Sequence, residues 1–189
     1  MHFAVAKRFI EKNDYLRNAD KETLREFYWG SIQPDITDDK EATHFGTRAE
    51  TRDIGKRHAE KVNPQKFLQH NKLDNAFNVA VYLHLLTDYE FYNKLLPKDY
   101  MKNCTDFSIF VRSMIHTRQV HDPYLVEKHG LSLEMSGRQE LLAETIRGWQ
   151  QDNVQNFGKV ITGDLLYSQQ QLDAFIEKVS SVNIPFKIH

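Results

Sequence analysis

The densest apolar pattern in the chain runs from Leu73 to Leu96. Read with helical periodicity, its apolar residues cover nearly the whole circumference of a helix, which is typical of a helix buried on most sides. The pattern therefore predicts a central helix over this stretch. His84 and Asp88 lie in its middle, four residues apart, and project from one face. Because an unpaired buried carboxylate is costly, Asp88 is predicted to face a cation or strong hydrogen-bond donors.

Before this stretch, amphipathic patterns predict shorter helices. The first begins at the N-terminus and ends at about Asn13. Asp20 is a candidate N-cap for a second helix, and Gly30 suits its C-terminal end. Asn63 followed by Pro64 is typical of a third helix start, with the proline at the first helical position.

Further helix signals follow the central stretch. Thr105 or Asp106 is predicted to cap a helix that ends before Pro123. Positions 136–139 (SGRQ) and 168–171 (SQQQ) both have the form of a capping box that opens a helix. Strand patterns with hairpin turns are absent, unless the short VITG segment counts. These signals predict one all-α domain over residues 1–189, with six or seven helices around the central helix.

The segment from Ser31 to about Val62 breaks this pattern, because it is polar and has no apolar face. A loop of this length within a compact domain is either functional or a solvated linker. Asp35 and His44 lie in this segment. Its basic residues Arg48, Arg52, Lys56 and Arg57 could hold a substrate phosphate, or they form a solvated face.

Composition narrows the class of protein. A content of 40% apolar and 12% aromatic residues predicts a folded chain. The 25 basic and 26 acidic residues nearly balance, so charge gives no support for a nucleic-acid partner. Cys104 is the only cysteine, which excludes an intramolecular disulfide and a cysteine-rich zinc site. With neither a signal-peptide pattern nor an apolar run of about 20 residues, we expect a cytoplasmic protein without a transmembrane segment.

Five residues are candidate metal ligands: His2, Asp35, His44, His84 and Asp88. Imidazole and carboxylate groups suit zinc, and manganese or iron accept the same set. The physical argument is strongest for the pair on the central helix, because one cation would compensate both side chains.

Each candidate also has an ordinary structural interpretation. His84 could be a core histidine bonded to a backbone carbonyl, and Asp88 could pair with an arginine at position 48, 52 or 57. Asp35 follows Pro34 and could be a turn residue or an N-cap.

Four motifs occur in order along the first half of the chain: MHFAVAKRF, GSIQPD, THF and YLHLLTDYEFY. Together they resemble the zinc-dependent phospholipase C and nuclease superfamily, whose members are all-α metalloproteins that hydrolyse phosphodiesters. The resemblance covers roughly Met1 to Leu96. It implies a metal-dependent hydrolase that acts on a small phosphoester or a phospholipid through a metal-activated water.

Carried over by position, the resemblance makes Asp35, His44, His84 and Asp88 the ligands of one metal. Asp88 would bridge to a second ion held by His2, and Asp35 and Asp88 are the candidate catalytic residues. The expected cofactor is a divalent metal, with zinc ahead of manganese and iron.

The sequence also departs from the family pattern. Tyr92 or its neighbours occupy the place of a further histidine ligand, and the second half offers His116, His121 and His129 without a matching context. His116 and His121 are predicted to be surface histidines. A site for one or two metals is therefore expected, not a trinuclear centre.

Two other functions remain open at this point. One is a binding or structural protein braced by a metal without turnover, in which four protein ligands would close the coordination sphere. The other is an all-α nucleotide phosphohydrolase of the His-Asp type, for which the adjacent pair would be His121 and Asp122. The oligomeric state is not indicated by the sequence.

Overall fold

The computed structural model describes residues 1–37, 39–46, 60–104, 106–158 and 161–186, without the side chains at positions 101 and 102. Within these ranges the protein is all-helical and contains no strand, so the predicted all-α class is confirmed. The α-helices are α1 (His2–Lys12), α2 (Asp14–Arg17), α3 (Lys21–Gly30), α4 (Lys40–His44), α5 (Pro64–His70), α6 (Ala76–Glu90), α7 (Lys98–Asn103), α8 (Phe107–His129), α9 (Gln139–Phe157) and α10 (Gln169–Val179).

Three further turns have other helical geometry: 3-10 turns at Gln33–Asp35 and Leu133–Ser136, and a π-helical turn at Phe91–Leu95. The ten α-helices of the described ranges exceed the predicted six or seven. Several of the additional helices are short, with four residues in α2 and five in α4, and such segments are too brief to show a periodic pattern.

Helix α6 is the predicted central helix, and eight of its residues are buried. It begins at Ala76 because the Asn75 side chain accepts a hydrogen bond from the Asn78 amide at 2.8 Å. After Glu90 the backbone widens into the π-helical turn, which ends one residue before Leu96. The α-helix is therefore shorter than predicted, by three residues at the N-terminal end and by six at the C-terminal end, where the π-helical turn continues to Leu95.

Helix α3 packs closely against α6 at Gly30. A Cβ atom on this residue would lie 2.5 Å from the Phe77 carbonyl oxygen and 3.0 Å from the Ala80 Cβ. Glycine is therefore required for the two backbones to approach this closely. Helix α1 packs in the same core, where the Phe9 and Phe27 rings stack with centroids 5.8 Å apart.

The predicted helix starts are largely confirmed. The side chains of Asp20, Asn63, Asp106 and Ser168 each cap a helix by accepting hydrogen bonds from its first-turn amides. Thr105, the other candidate for the α8 cap, lies outside the described residues. The prediction for Ser136 is wrong. Its hydroxyl donates to the Leu133 carbonyl and accepts from the Arg138 amide, so it closes a 3-10 turn instead of opening α9.

Helix α8 corrects another prediction, because it does not end before Pro123. It runs for 23 residues with this proline inside. A proline removes one backbone hydrogen bond from a helix. Here His121 and Leu125 on either side of it are buried, at 4% and 2% exposure, so tertiary packing holds the helix through the proline.

A buried polar stripe on α8 explains where His121 points. Ser113 and Thr117 accept hydrogen bonds from the amides of Asp164 and Leu166, at 3.1 Å and 3.0 Å. His121 Nε2 donates to the Tyr167 carbonyl at 2.9 Å. The three side chains bind the extended segment after α9 to the core. The prediction that His121 is a surface histidine is therefore wrong, whereas His116 is half-buried.

Part of the short VITG segment lies outside the described residues, and its described part, from Ile161 onward, forms no strand. None of the helices within the described ranges is long and apolar enough to cross a membrane.

Candidate metal centre

Four elements bring the five predicted ligands to one place. His2 is the first residue of α1, Asp35 ends the 3-10 turn Gln33–Asp35, His44 ends α4, and His84 and Asp88 lie one turn apart on α6. The polar segment thus contributes two ligands, which favours its functional interpretation over that of a plain linker.

Local structure holds His44 in position. The Asp39 side chain caps α4 by accepting from the Ala42 amide at 3.0 Å. Phe45 ends the helix with φ at 60°, in the left-handed region, and pairs with Val62 in an isolated antiparallel bridge. His44 therefore lies at a sharp change of chain direction and faces α6.

The ligand atoms of Asp35, His44, His84 and Asp88 all lie within 4.8 Å of one another. The Nε2 atoms of His44 and His84 are 3.3 Å apart. Asp88 Oδ2 lies 3.4 Å from His44 Nε2 and 3.5 Å from His84 Nε2. Ligands at about 2.0–2.2 Å from a tetrahedral zinc ion stand roughly 3.3–3.6 Å apart, so these three spacings suit such an ion.

Both carboxylates present their second oxygen to His2. His2 Nε2 lies 3.3 Å from Asp88 Oδ1 and 3.6 Å from Asp35 Oδ2. Asp35 Oδ1 points the other way and lies 3.8 Å from His44 Nε2. Asp35 and Asp88 therefore each direct one oxygen to His2 and the other to His44. The His2 ring itself stacks on the His84 ring, with centroids 3.9 Å apart.

The tautomers of two histidines follow from their Nδ1 partners. His84 Nδ1 lies 2.8 Å from the Ser31 carbonyl, and His44 Nδ1 lies 3.0 Å from the Lys40 carbonyl. Because a carbonyl only accepts hydrogen bonds, each Nδ1 carries a hydrogen. The neutral rings then have their lone pair on Nε2, which is the arrangement of a metal-bound histidine.

This arrangement is unfavourable without a positive charge between the groups. The two Nε2 lone pairs face each other at 3.3 Å, and a carboxylate oxygen faces both. A proton on one Nε2 satisfies one contact, whereas a cation satisfies all of them. The donor set and its orientation therefore fit a divalent metal ion, which this cluster could bind.

The pKa shifts in the cluster also result from the close approach of its imidazole and carboxylate groups. Burial opposes ionisation of Asp88, but His2 and His84 hold the pKa of this carboxyl well below its ordinary value. Burial also opposes the charged form of His84, yet the carboxylates of Asp88 and Asp35 raise its pKa. The pKa of His2 is lowered by burial and by His84. Opposite charges thus outweigh burial at the two α6 residues.

The side chains of the cluster differ in their exposure to solvent. The His84 side chain is 0% exposed and that of Asp88 is 16% exposed, whereas that of Asp35 is 30% exposed. Lys40 Nζ lies 3.3 Å from Asp35 Oδ1 on the outer side. The cluster is therefore closed at α6 and open at Asp35.

Tyr92 lies close to the cluster. In the sequence it was notable only because it occupies the place of a histidine in the family pattern. Burial raises the pKa of its phenol, and the charges of Asp88 and Asp35 raise it further. The hydroxyl therefore stays protonated. Tyr92 lies in the π-helical turn directly after α6, and such turns are frequent at functional sites.

The structure bears on the ordinary structural interpretations of His84 and Asp88. His84 does bond a backbone carbonyl, but only through Nδ1, while its other nitrogen faces the cluster. The arginines proposed as partners of Asp88 lie outside the described residues, as does Lys56. His121 bonds to a carbonyl and Asp122 lies 3.6 Å from Arg118, so this pair belongs to no ligand cluster found in the described part of the chain.

Searches against protein-family models, curated proteins and solved structures found no match for this chain. The structure thus defines the class as an all-helical protein with a candidate site for a divalent metal. The phospholipase C-like relationship and zinc as the metal stay predictions from the sequence motifs.

Proposed function

We propose that this protein is a metal-dependent hydrolase of phosphoesters. The observation that carries the proposal is that His44 Nε2, His84 Nε2 and Asp88 Oδ2 lie 3.3 to 3.5 Å from one another, with Asp35 completing the group on its accessible side. A divalent ion held by these residues would polarise a phosphoryl oxygen and lower the pKa of a bound water, which would make hydroxide available near neutral pH.

The accessible side of the cluster is where a substrate would approach. Asp35 is the most exposed of the four ligands, and its carboxylate can accept a proton from a water molecule. Lys40 next to it provides a positive charge for an anionic substrate. Phosphodiesters are anionic and resist attack by hydroxide, so these charges address the main obstacle to their hydrolysis.

The arrangement around the carboxylates also supports two ions. His2 with one oxygen each of Asp35 and Asp88 forms a second group of three ligand atoms, which leaves coordination positions open. We propose that this second position takes a metal more weakly than the first, because it has fewer protein ligands. Two ions in one site stabilise both the attacking and the leaving oxygen of a phosphoryl group.

The first test is the metal content of protein purified without a chelator or a histidine tag. We expect one or two zinc, manganese or iron ions per chain, lost in His84→Ala. His121→Ala is the matched control, because His121 is also a buried imidazole that bonds a backbone carbonyl. This variant keeps its metal. If both variants retain the metal, or if the native chain takes up none when ions are offered, the metal site is refuted.

The second test is hydrolysis of bis(4-nitrophenyl) phosphate by the metal-loaded protein. We expect turnover that requires the metal and is lost in Asp35→Asn. Bound metal without turnover on this or other phosphoesters would instead indicate a metal-braced structural protein. Circular dichroism of each variant shows whether it is folded.

A further inference from the structure

Thr43 connects two of the elements that carry candidate ligands, although its own side chain is uncharged. It precedes His44 in α4, and its hydroxyl oxygen lies 3.1 Å from the carbonyl oxygen of Pro34. Pro34 precedes Asp35 in the first 3-10 turn. A hydrogen bond from Thr43 to Pro34 therefore joins the turn that carries one ligand to the helix that carries another.

The same hydroxyl oxygen lies 3.2 Å from His44 Nδ1. This nitrogen carries a hydrogen, because it also lies 3.0 Å from the Lys40 carbonyl, which only accepts hydrogen bonds. The Thr43 oxygen accepts a share of that hydrogen while its own hydrogen is donated to Pro34. Hydrogen bonds thus run without interruption from the 3-10 turn to the imidazole of His44.

Two other carbonyl groups lie within reach of this hydroxyl. Those of Asp39 and Lys40 are 3.3 Å and 3.4 Å from Thr43 Oγ1. A threonine in a helix often donates to a carbonyl of the preceding turn, and such a bond would hold nothing outside α4. Because a hydroxyl has one hydrogen, these acceptors compete with Pro34, whose carbonyl is the nearest of the three.

The two histidines on the inner side of the cluster differ in how they are held. His84 Nδ1 lies 2.8 Å from the Ser31 carbonyl, 53 residues earlier in the chain. The Lys40 carbonyl that holds His44 belongs to the same five-residue helix as His44 itself. Among the described residues that contact His44 Nδ1, Thr43 is therefore the one that connects the ring to another ligand-bearing element.

We propose that Thr43 is a positioning residue of the candidate metal centre. Its hydroxyl fixes His44 relative to Asp35, whose Oδ1 lies 3.8 Å from His44 Nε2. Loss of a residue that holds a metal ligand from outside the coordination sphere typically weakens metal binding about 10- to 100-fold. The proposal rests on the metal site of the proposed function, but it does not require turnover.

The test compares Thr43→Val with Thr43→Ser. Valine has nearly the shape of threonine without the hydroxyl, whereas serine keeps the hydroxyl. The dissociation constant for Zn²⁺ is measured by competition with a chromophoric chelator. We expect Thr43→Val to weaken zinc binding about tenfold, at the low end of such effects because the Lys40 carbonyl still holds His44 Nδ1. Thr43→Ser should bind zinc as tightly as the native chain. Native affinity in Thr43→Val would overturn the proposal.

Thr117→Val is the matched control for a hydroxyl that joins two elements. Thr117 lies on α8, where its hydroxyl donates to the Asp164 carbonyl at 3.4 Å and accepts from the Leu166 amide at 3.0 Å. This substitution should lower the Tm of the metal-free protein without changing the dissociation constant for zinc. If it weakened zinc binding as much as Thr43→Val does, the loss would reflect general stability, and the positioning role would be refuted.

Cobalt provides a readout that is independent of affinity. The visible absorption of bound Co²⁺ depends on the geometry of its ligands, and it is compared at saturating metal. We expect a changed spectrum in Thr43→Val, and the native spectrum in Thr43→Ser and Thr117→Val. A native spectrum in Thr43→Val would show that the ligands keep their arrangement without the hydroxyl, which would refute the positioning role.

These outcomes are distinguishable from those of the proposed function. Turnover of phosphoesters together with native zinc binding in Thr43→Val would refute the positioning role and leave the hydrolase intact. Weaker zinc binding in Thr43→Val, restored in Thr43→Ser, in a chain that hydrolyses no phosphoester would support the positioning role and refute the hydrolase. A native chain that binds no metal would refute both.

Discussion

Helices α6 and α9 differ in how the rest of the chain covers them. Helix α6 has 15 residues, of which eight are buried, whereas α9 has 19 residues and buries only Leu142. A helix packed on all sides holds its side chains to within a few tenths of an ångström, as metal ligands require. A helix with one buried residue contributes far less to the core. The protein therefore places two of the candidate ligands on the more firmly packed of these two helices.

The largest expected difference is in the packing of leucines. Leu83 on α6 is 1% exposed, and Leu83→Ala is expected to lower the free energy of unfolding by about 2–5 kcal/mol. Leu141 on α9 is 44% exposed, and Leu141→Ala is expected to change it by less than about 0.5 kcal/mol. Urea denaturation measures both values. Similar losses for the two variants would show that α9 is packed as firmly as α6.

Metal removal is expected to have the next largest effect on stability. This effect should be confined to the helices that carry the ligands and should not extend to α9. At a free metal concentration of 100 times Kd, binding stabilises the folded state by about 2.7 kcal/mol. A chelator should therefore lower Tm and speed amide hydrogen exchange in α1 and α6, while exchange in α9 stays the same. An unchanged Tm on metal removal would contradict a bound ion at the cluster.

Gly30 offers a smaller test of the close packing of α3 on α6. Since a Cβ on this residue would lie 2.5 Å from the Phe77 carbonyl oxygen, Gly30→Ala is expected to destabilise the protein by about 1–3 kcal/mol. The readout is the midpoint of urea unfolding. A neutral substitution here would show that the two backbones separate without cost.

Gly148 on α9 is the matched position, and alanine there is expected to have the opposite effect on stability. A Cβ there meets nothing within 4 Å. Gly148→Ala should therefore stabilise the protein, by up to about 1 kcal/mol, because alanine has the higher helix propensity. Thermal unfolding measures the gain. A loss of stability would contradict the open surroundings of Gly148.

The pattern of apolar and polar residues along the chain predicted much of the structure around α6. Apolar residues on every face of one helical stretch are enough to indicate a central helix, and four-residue spacing places His84 and Asp88 on one face. The caps at Asn63 and Ser168 were also predictable, because the hydrogen bonds of a cap join residues two or three apart.

Features that depend on distant partners were not predictable in this way. Ser136 has the sequence form of a capping box, but Gly137 takes a φ of 66° and turns the chain before α9 begins. His121 has no nearby partner in the sequence, and its burial follows from the Tyr167 carbonyl 46 residues away. Helix α8 continues through Pro123 because of the core around it.

The sequence by itself determined the helical class and the central helix, because periodicity is a local property. The residue types and the order of its motifs also identified the five residues that meet at the cluster. Only the tertiary structure decided that both carboxylates face His2 with one oxygen and His44 with the other. It alone placed the Thr43 hydroxyl between the Pro34 carbonyl and His44. The physical reason is that orientation and enclosure depend on contacts between elements far apart in the chain, which no local pattern encodes.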